Sequence, residues 1–84
     1  RTRSKYDPLY YYLTDCPDRS VRMTFVQIER ILGFGLPSSA RRYNAWWANE
    51  REGTHSHARS WLEASYQTQM VDLNSQSVTF ASSS

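Results

Sequence analysis

The sequence is poor in cysteine, glycine, proline and long apolar runs. Of its 84 residues, one is Cys, three are Gly and three are Pro. A single cysteine cannot form an internal disulfide, which disfavours a disulfide-stapled secreted domain and favours a cytoplasmic protein. No apolar run approaches the roughly 18–20 residues that a membrane helix needs. No apolar segment follows the first basic residues, so we expect no signal peptide.

Lysine is nearly absent too, since nine of the ten basic residues are arginine. The formal net charge of +2 is too small to identify a partner on its own. Arginine suits bidentate contacts with phosphates and guanine edges, but GC-rich codon usage explains the same bias equally well. Aromatic residues are plentiful at 14%, and they can supply a core that a single domain of this length could not build from small aliphatic residues.

The N-terminal region predicts a basic arm followed by a helix. Residues 1–5 carry three positive charges and no apolar anchor. This pattern is typical of a flexible, solvated terminus or of an arm that follows DNA phosphates. Asp7 and Pro8 predict a helix over 8–15, with Asp7 as its N-cap and Pro8 in its first turn. The residues spaced to form its buried stripe are Leu9, Tyr12 and Leu13.

A short strand and a second helix are predicted next. Residues 20–23 have the pattern of an extended segment. Thr24 and Gln27 form a capping box, which predicts a helix over 25–32, and Gly33 suits the left-handed residue that ends such a helix. The apolar stripe of this helix consists of Phe25, Ile28, Ile31 and Leu32.

A third helix is predicted after a compact turn that contains glycine. Pro37, followed by Ser38 or Ser39, suits the start of this helix, and residues 40–46 suit its body. Two helices joined by such a turn are typical of a helix-turn-helix, in which the second helix lies in the major groove of DNA.

The last third of the sequence predicts a fourth helix and a β-hairpin. Residues 56–65 have helical periodicity, whereas residues 67–73 and 77–81 alternate around a short connection. The strand at 20–23 can pair with this hairpin. We therefore predict an α+β, winged-helix-like fold, with three to four helices and a small antiparallel sheet formed by the N-terminal strand and the C-terminal hairpin. Residues 6–81 would form this single domain, and residues 82–84 a frayed tail.

Five motifs resemble those of a small bacterial domain family of unknown function. They are Lys5-Tyr-Asp-Pro-Leu-Tyr10, Leu36-Pro-Ser-Ser-Ala40, Trp46-Trp-Ala-Asn49, Ala58-Arg-Ser-Trp61, and the pair Val71-Asp-Leu73 and Val78-Thr-Phe80. The sequence departs from the family pattern in a longer loop at 50–54 and in Ser65-Tyr66, where the family more often has Gly-Trp. The resemblance implies a stand-alone or appended prokaryotic domain and carries over no catalytic residue.

The predicted working surface lies within residues 36–49, which concentrate arginine, tryptophan and asparagine. Adjacent residues of a helix point about 100° apart, so Arg41 and Arg42 can divide base and phosphate contacts between them. We predict binding to double-stranded DNA, with direct readout by Arg41, Arg42 and Asn44. The predicted nucleic-acid contacts are Arg3, Lys5, Ser38, Ser39, Arg41, Arg42, Asn44, Trp46, Trp47, Asn49, Arg51 and Arg59, with Arg1 as a further phosphate contact.

The two arginines have a structural alternative, which is a solvated helix face with salt bridges to Glu50 or Glu52. A rival function is a protein-interaction or homodimerisation domain that uses the same aromatic and arginine-rich patch as its hot spot. The modest net charge is compatible with either function.

The adjacent tryptophans are expected to differ in burial. One of Trp46 and Trp47 should lie in the core, against Phe34 or Trp61, because one helix stripe cannot bury both. The other should be partly exposed, where it can stack on a base or anchor a protein partner.

Neither a metal site nor catalysis is predicted. His55 and His57 flank a serine at a loop–helix junction, without a third His or a Cys nearby. Cys16 lacks a histidine partner, and two neighbouring aspartates disfavour its thiolate. No phosphate-binding loop, nucleophile elbow or nuclease motif is present. We predict a regulator, or the targeting domain of a restriction-type system, that requires no cofactor.

Overall fold

A computed structural model describes residues 4–50 and 56–83 of the chain. Within these ranges the helices are α1 (Asp7–Asp15), α2 (Phe25–Leu32), α3 (Ser38–Arg42) and α4 (Ser56–Leu62), and a 3₁₀ turn spans Asn44–Trp47. The strands are β1 (Ser20–Thr24), β2 (Tyr66–Asp72) and β3 (Ser77–Ser82). The predicted α+β class, with a small antiparallel sheet built from an N-terminal strand and a C-terminal hairpin, is confirmed. No helix in the described ranges is long and apolar enough to cross a membrane.

Helix α1 buries a narrower stripe than the sequence predicts. Leu9 and Leu13 are buried, and Tyr6 at the N-cap joins them. Tyr12 was expected in this stripe, but it is 44% exposed. Helix α1 contacts α2 and α4, and residues 6, 9 and 13 follow one ridge along that contact. Tyr12 lies beside this ridge and faces outward.

The start of α1 also differs from the prediction. Asp7 is the first residue of the helix and not its N-cap, and no side chain caps the helix. Ser4 precedes the helix instead: its hydroxyl accepts a hydrogen bond from the N–H of Tyr6 at 3.1 Å, and its carbonyl accepts from the N–H of Asp7 at 3.0 Å. Residues 1–3 of the predicted arm lie outside the described residues.

Helix α2 has the predicted bounds and both predicted ends. The hydroxyl of Thr24 accepts from the N–H of Gln27 at 3.1 Å, and the Gln27 side chain accepts from the N–H of Thr24 at 2.8 Å. Gly33 ends the helix with φ = 86°, a left-handed conformation that glycine adopts without strain. The buried residues of the helix are Phe25, Ile28 and Leu32.

The predicted helix over 40–46 is interrupted. Helix α3 ends at Arg42, Tyr43 is extended (φ −128°, ψ 126°), and the 3₁₀ turn follows. The indole N–H of Trp47 donates to the carbonyl oxygen of Ala40 at 2.8 Å. In a continuous α-helix this carbonyl would accept from the backbone N–H four residues later, at residue 44. The indole takes over that role, which allows the chain to turn Trp47 into the core.

The sheet has the strand order β1-β3-β2, and both pairings are antiparallel. Val78 and Phe80 of the central strand are 1% and 0% exposed, so the middle of the sheet contributes directly to the core. A bulge interrupts β2 between Thr68 and Met70. Ser82 completes β3, and the N–H of Ser83 donates to the carbonyl of Ser65 at 2.8 Å, where a frayed tail was expected.

Candidate nucleic-acid interface

The two tryptophans are placed as predicted, one in the core and one at its edge. Trp47 is 1% exposed and stacks on Phe25 and Trp61, with ring centroids 5.0 and 5.8 Å away. Trp46 is half-buried, and its ring lies parallel to the imidazole of His57 at 3.9 Å. The Tyr6 ring also contacts Trp46, with ring centroids 6.1 Å apart. Trp47 is therefore a core residue, and one face of the Trp46 ring is already covered.

His57 has a packing role in this arrangement. It is buried, and its Nε2 lies 2.8 Å from the carbonyl oxygen of Trp46. No group of three or more His, Cys, Asp or Glu side chains within 4–50 and 56–83 is arranged to hold a metal ion. His55 lies outside these ranges.

Asn49, a predicted DNA contact, binds the protein's own sheet. Its amide donates to the carbonyl of Thr68 at 3.0 Å, and its Oδ1 accepts from the N–H of Thr68 at 2.9 Å. The same oxygen accepts from the indole N–H of Trp61 at 2.9 Å. The side chain thus extends the hydrogen-bond pattern of the sheet at the outer edge of β2, beside the bulge. It also accepts a hydrogen bond from the N–H of a buried indole. These bonds leave Asn49 little capacity to read a base.

The side chain of Arg41 also forms hydrogen bonds within the protein. Its guanidinium donates to Glu29 at 2.7 Å and to the side-chain oxygen of Gln76 at 2.7 Å, and its carbonyl accepts from the Gln76 amide at 3.3 Å. The sequence predicted Glu50 or Glu52 as the acidic partner, but Glu29 takes this place; Glu52 lies outside the described residues. The N–H of Leu36 also donates to Glu29, and this bond, followed by the one from Arg41, lowers the pKa of the Glu29 carboxyl.

Residues 42–44, the outer segment, face solvent. Arg42 and Asn44 are exposed and make no hydrogen bond or ion pair with any described residue. Tyr43 between them is 60% exposed. Of the two predicted serines, Ser38 is exposed and Ser39 is half-buried at the start of α3. The outer segment is therefore the part of the predicted surface that remains available to a partner.

The hairpin tip, residues 73–76, adds residues that the sequence did not point to. Gln76 binds Arg41, and its carbonyl accepts from the N–H of Phe25 at 2.8 Å, so the tip is held against both α2 and α3. On the other side, the Arg22 guanidinium donates to the hydroxyl of Ser77 at 3.0 Å and lies 3.4 Å from that of Ser75. The signal that could have found these residues is the predicted pairing of the N-terminal strand with the hairpin, because the antiparallel register sets Ser77 opposite Thr24, at the start of α2.

The other predicted phosphate contacts are dispersed. Lys5 is exposed at the start of α1, with its Nζ 5.2 Å from the centroid of the Phe34 ring. Arg59 is exposed on α4. Arg1, Arg3 and Arg51 lie outside the described residues.

These contacts define a small α+β domain in which the hairpin tip is held beside α3. The family model described as "Domain of unknown function (DUF7662)" matches residues 6–84, and the chain belongs to this family. The resemblance to a domain family of unknown function is thereby confirmed. No curated protein and no solved structure matches the chain.

Proposed function

We propose that the chain is a winged-helix-like domain that binds double-stranded DNA through α3, the outer segment and the hairpin tip. The order of its elements, with α4 added before the hairpin, and the strand order β1-β3-β2 support that architecture. The observation that carries the proposal is the pair of hydrogen bonds between Gln76 and Arg41. They hold the hairpin tip beside α3, which makes one continuous polar surface from two distant parts of the chain.

In this proposal some residues contact DNA, and others hold the DNA-binding surface in place. Arg42 and Asn44 read base edges or hold phosphates, because both are exposed and have no partner among the described residues. Arg22 and Ser75 hold the DNA backbone next to the hairpin tip, and Lys5 and Arg59 give more distant electrostatic attraction. Arg41 positions the surface, whereas the adjacent tryptophans and Asn49 build the scaffold beneath it. No residue is assigned a catalytic role.

The surface charge favours weak binding with a modest dependence on salt. Glu29 neutralises Arg41, and the charge of Arg22 lowers the pKa of nearby Asp72, although hydrogen bonds from Ser75 are the larger cause. Arg42 is therefore the main uncompensated charge on the proposed surface. Such a module suits a cytoplasmic regulator or the targeting part of a restriction-type system, where a second domain or copy would add affinity.

The test is fluorescence anisotropy with labelled duplex, single-stranded and methylated DNA at two salt concentrations. Arg42→Ala should weaken duplex binding by about tenfold and reduce the salt slope by about 1. Arg19→Ala is the matched control, since Arg19 is also exposed but lies next to Ser82, at the opposite end of the sheet from the hairpin tip. Duplex binding that ignores salt, or that survives combined removal of Arg22, Arg42 and Asn44, would exclude this surface.

A homodimer that uses the same surface is the second candidate. The observation that favours it is Tyr43, which is 60% exposed beside Arg42, because tyrosine and arginine are enriched at the energetic centres of protein interfaces. Light scattering with and without DNA separates the two functions. A dimer that dissociates on Tyr43→Ala and does not bind DNA would favour this candidate.

A further inference from the structure

A groove with different chemistry lies at the other end of the sheet. Tyr66 begins β2 there, and its hydroxyl lies within hydrogen-bond distance of the carbonyl oxygens of Cys16 and Asp18. Strand β2 runs from this point to Asp72, next to the hairpin tip. Its seven residues span about 20 Å at roughly 3.3 Å per residue. The two regions are therefore well separated on a domain of this size.

We propose that this groove binds an extended, proline-rich peptide that carries arginine. The groove has a volume of about 310 Å³, and we call it the acidic groove. Its lining residues are Tyr12, Asp15, Cys16, Pro17 and Asp18. The proposed activity is peptide recognition, and it does not depend on whether the domain binds DNA.

The walls of the acidic groove suit a polyproline II helix. Tyr12 and Asp15 are spaced i and i+3 in the last turns of α1, so they share one face of the helix, and Cys16 follows as the extended residue that ends it. Tyr12 is 44% exposed, which leaves its ring available to a ligand, and Pro17 adds a second ring to the lining of the groove. Grooves lined by aromatic side chains and proline bind polyproline II segments, which lose little conformational entropy on binding.

The loop at residues 16–18, which lines the acidic groove, is held in place before any ligand arrives. Tyr66 is buried, with 5% of its surface exposed, and its hydroxyl lies within hydrogen-bond distance of two backbone carbonyls of this loop. Burial raises the pKa of Tyr66 above its ordinary value, and a tyrosine hydroxyl is already protonated at neutral pH, so it can donate to the loop. A preformed groove binds a rigid peptide without the cost of ordering a loop.

The charge of the groove selects a cationic ligand. Asp15 and Asp18 are exposed, and neither carboxylate forms an ion pair or hydrogen bond with a described residue. The neighbouring cation, Arg19, does not line the acidic groove; it lines an adjoining depression that shares Cys16, Pro17 and Asp18 with the groove. An arginine in the ligand can pair with a carboxylate and stack on the Tyr12 ring at the same time, which lysine does less well.

The test uses a fluorescein-labelled peptide of alternating Pro-Pro-Arg units in an anisotropy titration with the whole chain. We expect saturable binding that weakens about tenfold for Tyr12→Ala and at least tenfold for Asp15→Asn combined with Asp18→Asn. All three positions are exposed, so thermal unfolding should be nearly unchanged. The matched peptide with lysine in place of arginine should bind several-fold more weakly, and one with glutamate should not bind.

Arg42→Ala serves as the control on the protein side, because it removes a charge from the opposite surface. It should leave peptide affinity within about twofold. The proposal is overturned if the arginine peptide shows no saturation by about 1 mM, or if the groove variants bind as well as the parent chain. Concentration-dependent self-association that the groove variants abolish would also overturn it, because the occupant would then be a second copy. Failure of DNA binding would leave these outcomes unaffected.

Discussion

Residues 42–44 and residues 46–49 are adjacent in the chain but have opposite roles. The outer segment, 42–44, directs its side chains into solvent. The following inner segment, 46–49, places Trp47 in the core and binds Asn49 to β2. Both segments contain the residue types that occur in nucleic-acid interfaces, so composition does not distinguish them. The difference arises from the extended backbone at Tyr43, which ends α3 and turns the chain inward.

The comparison predicts that substitutions in the inner segment reduce stability, whereas those in the outer segment do not. Trp47→Ala should have the largest effect, a loss of about 3–5 kcal/mol in the free energy of unfolding, because it empties the site between Phe25 and Trp61. Tyr43→Ala is the matched control, with a change within about 0.5 kcal/mol. Urea titration followed by far-UV circular dichroism measures both. Equal losses for the two variants would contradict the division of roles.

Asn49→Ala tests the inner segment without creating a large cavity. The variant leaves the indole N–H of Trp61 and the edge of β2 at Thr68 without their partner. We expect a loss of about 1–3 kcal/mol, which is the usual penalty for an unsatisfied buried donor. Asn44→Ala removes the same side chain from an exposed site and should change stability by less than about 0.5 kcal/mol. If the Asn49 variant were as stable as the parent chain but bound DNA poorly, Asn49 would be a DNA contact and not a structural residue.

The sequence was sufficient for α2, whose ends depend on neighbouring residues. The capping box at Thr24 and Gln27 and the left-handed Gly33 determine α2 through contacts within a few residues, and its bounds were predicted correctly. The break after Arg42 was missed because its cause is tertiary. Trp47 closes onto Ala40 only when the surrounding aromatic residues form the core, and Asn49 needs a strand edge almost twenty residues further along the chain.

The candidate site, too, depends on contacts between residues that are distant in the sequence. Arg41 and Arg42 are indistinguishable as a sequence pair, and α3 is short enough that its periodicity says little about orientation. Distant residues decide between them: Glu29 on α2 and Gln76 in the hairpin tip engage Arg41 and leave Arg42 exposed. The sequence predicted that the hairpin pairs with the N-terminal strand, but no local pattern identifies Gln76 as a contact of Arg41.

The adjacent arginines give a third prediction, with a smaller effect on stability. Arg41→Ala removes the bonds to Glu29 and Gln76 and should lower the free energy of unfolding by about 1 kcal/mol, since the pair is partly exposed to solvent. Arg42→Ala should leave stability nearly unchanged. The hairpin tip should also become more mobile in the Arg41 variant, which amide hydrogen exchange at residues 74–77 measures. Unchanged exchange would mean that Arg41 does not hold the tip.

The smallest predicted effect is the pH dependence of the ion pair between Glu29 and Arg41. The folded state lowers the pKa of Glu29, so its stabilising contribution is present above the unfolded pKa, about 4.3, and is lost as pH falls through the lower folded value. Glu29→Gln should therefore reduce stability by a few tenths of a kcal/mol to about 1 kcal/mol at pH 7, and the difference should shrink as pH falls below about 4. Urea titrations at pH 7 and at about pH 3 measure this change.

The double variant with Arg41→Ala is the control, because without the arginine the Glu29 substitution should have less effect at pH 7. A difference between parent and Glu29 variant that stays constant with pH would show that the carboxylate charge does not contribute to holding α2 against α3.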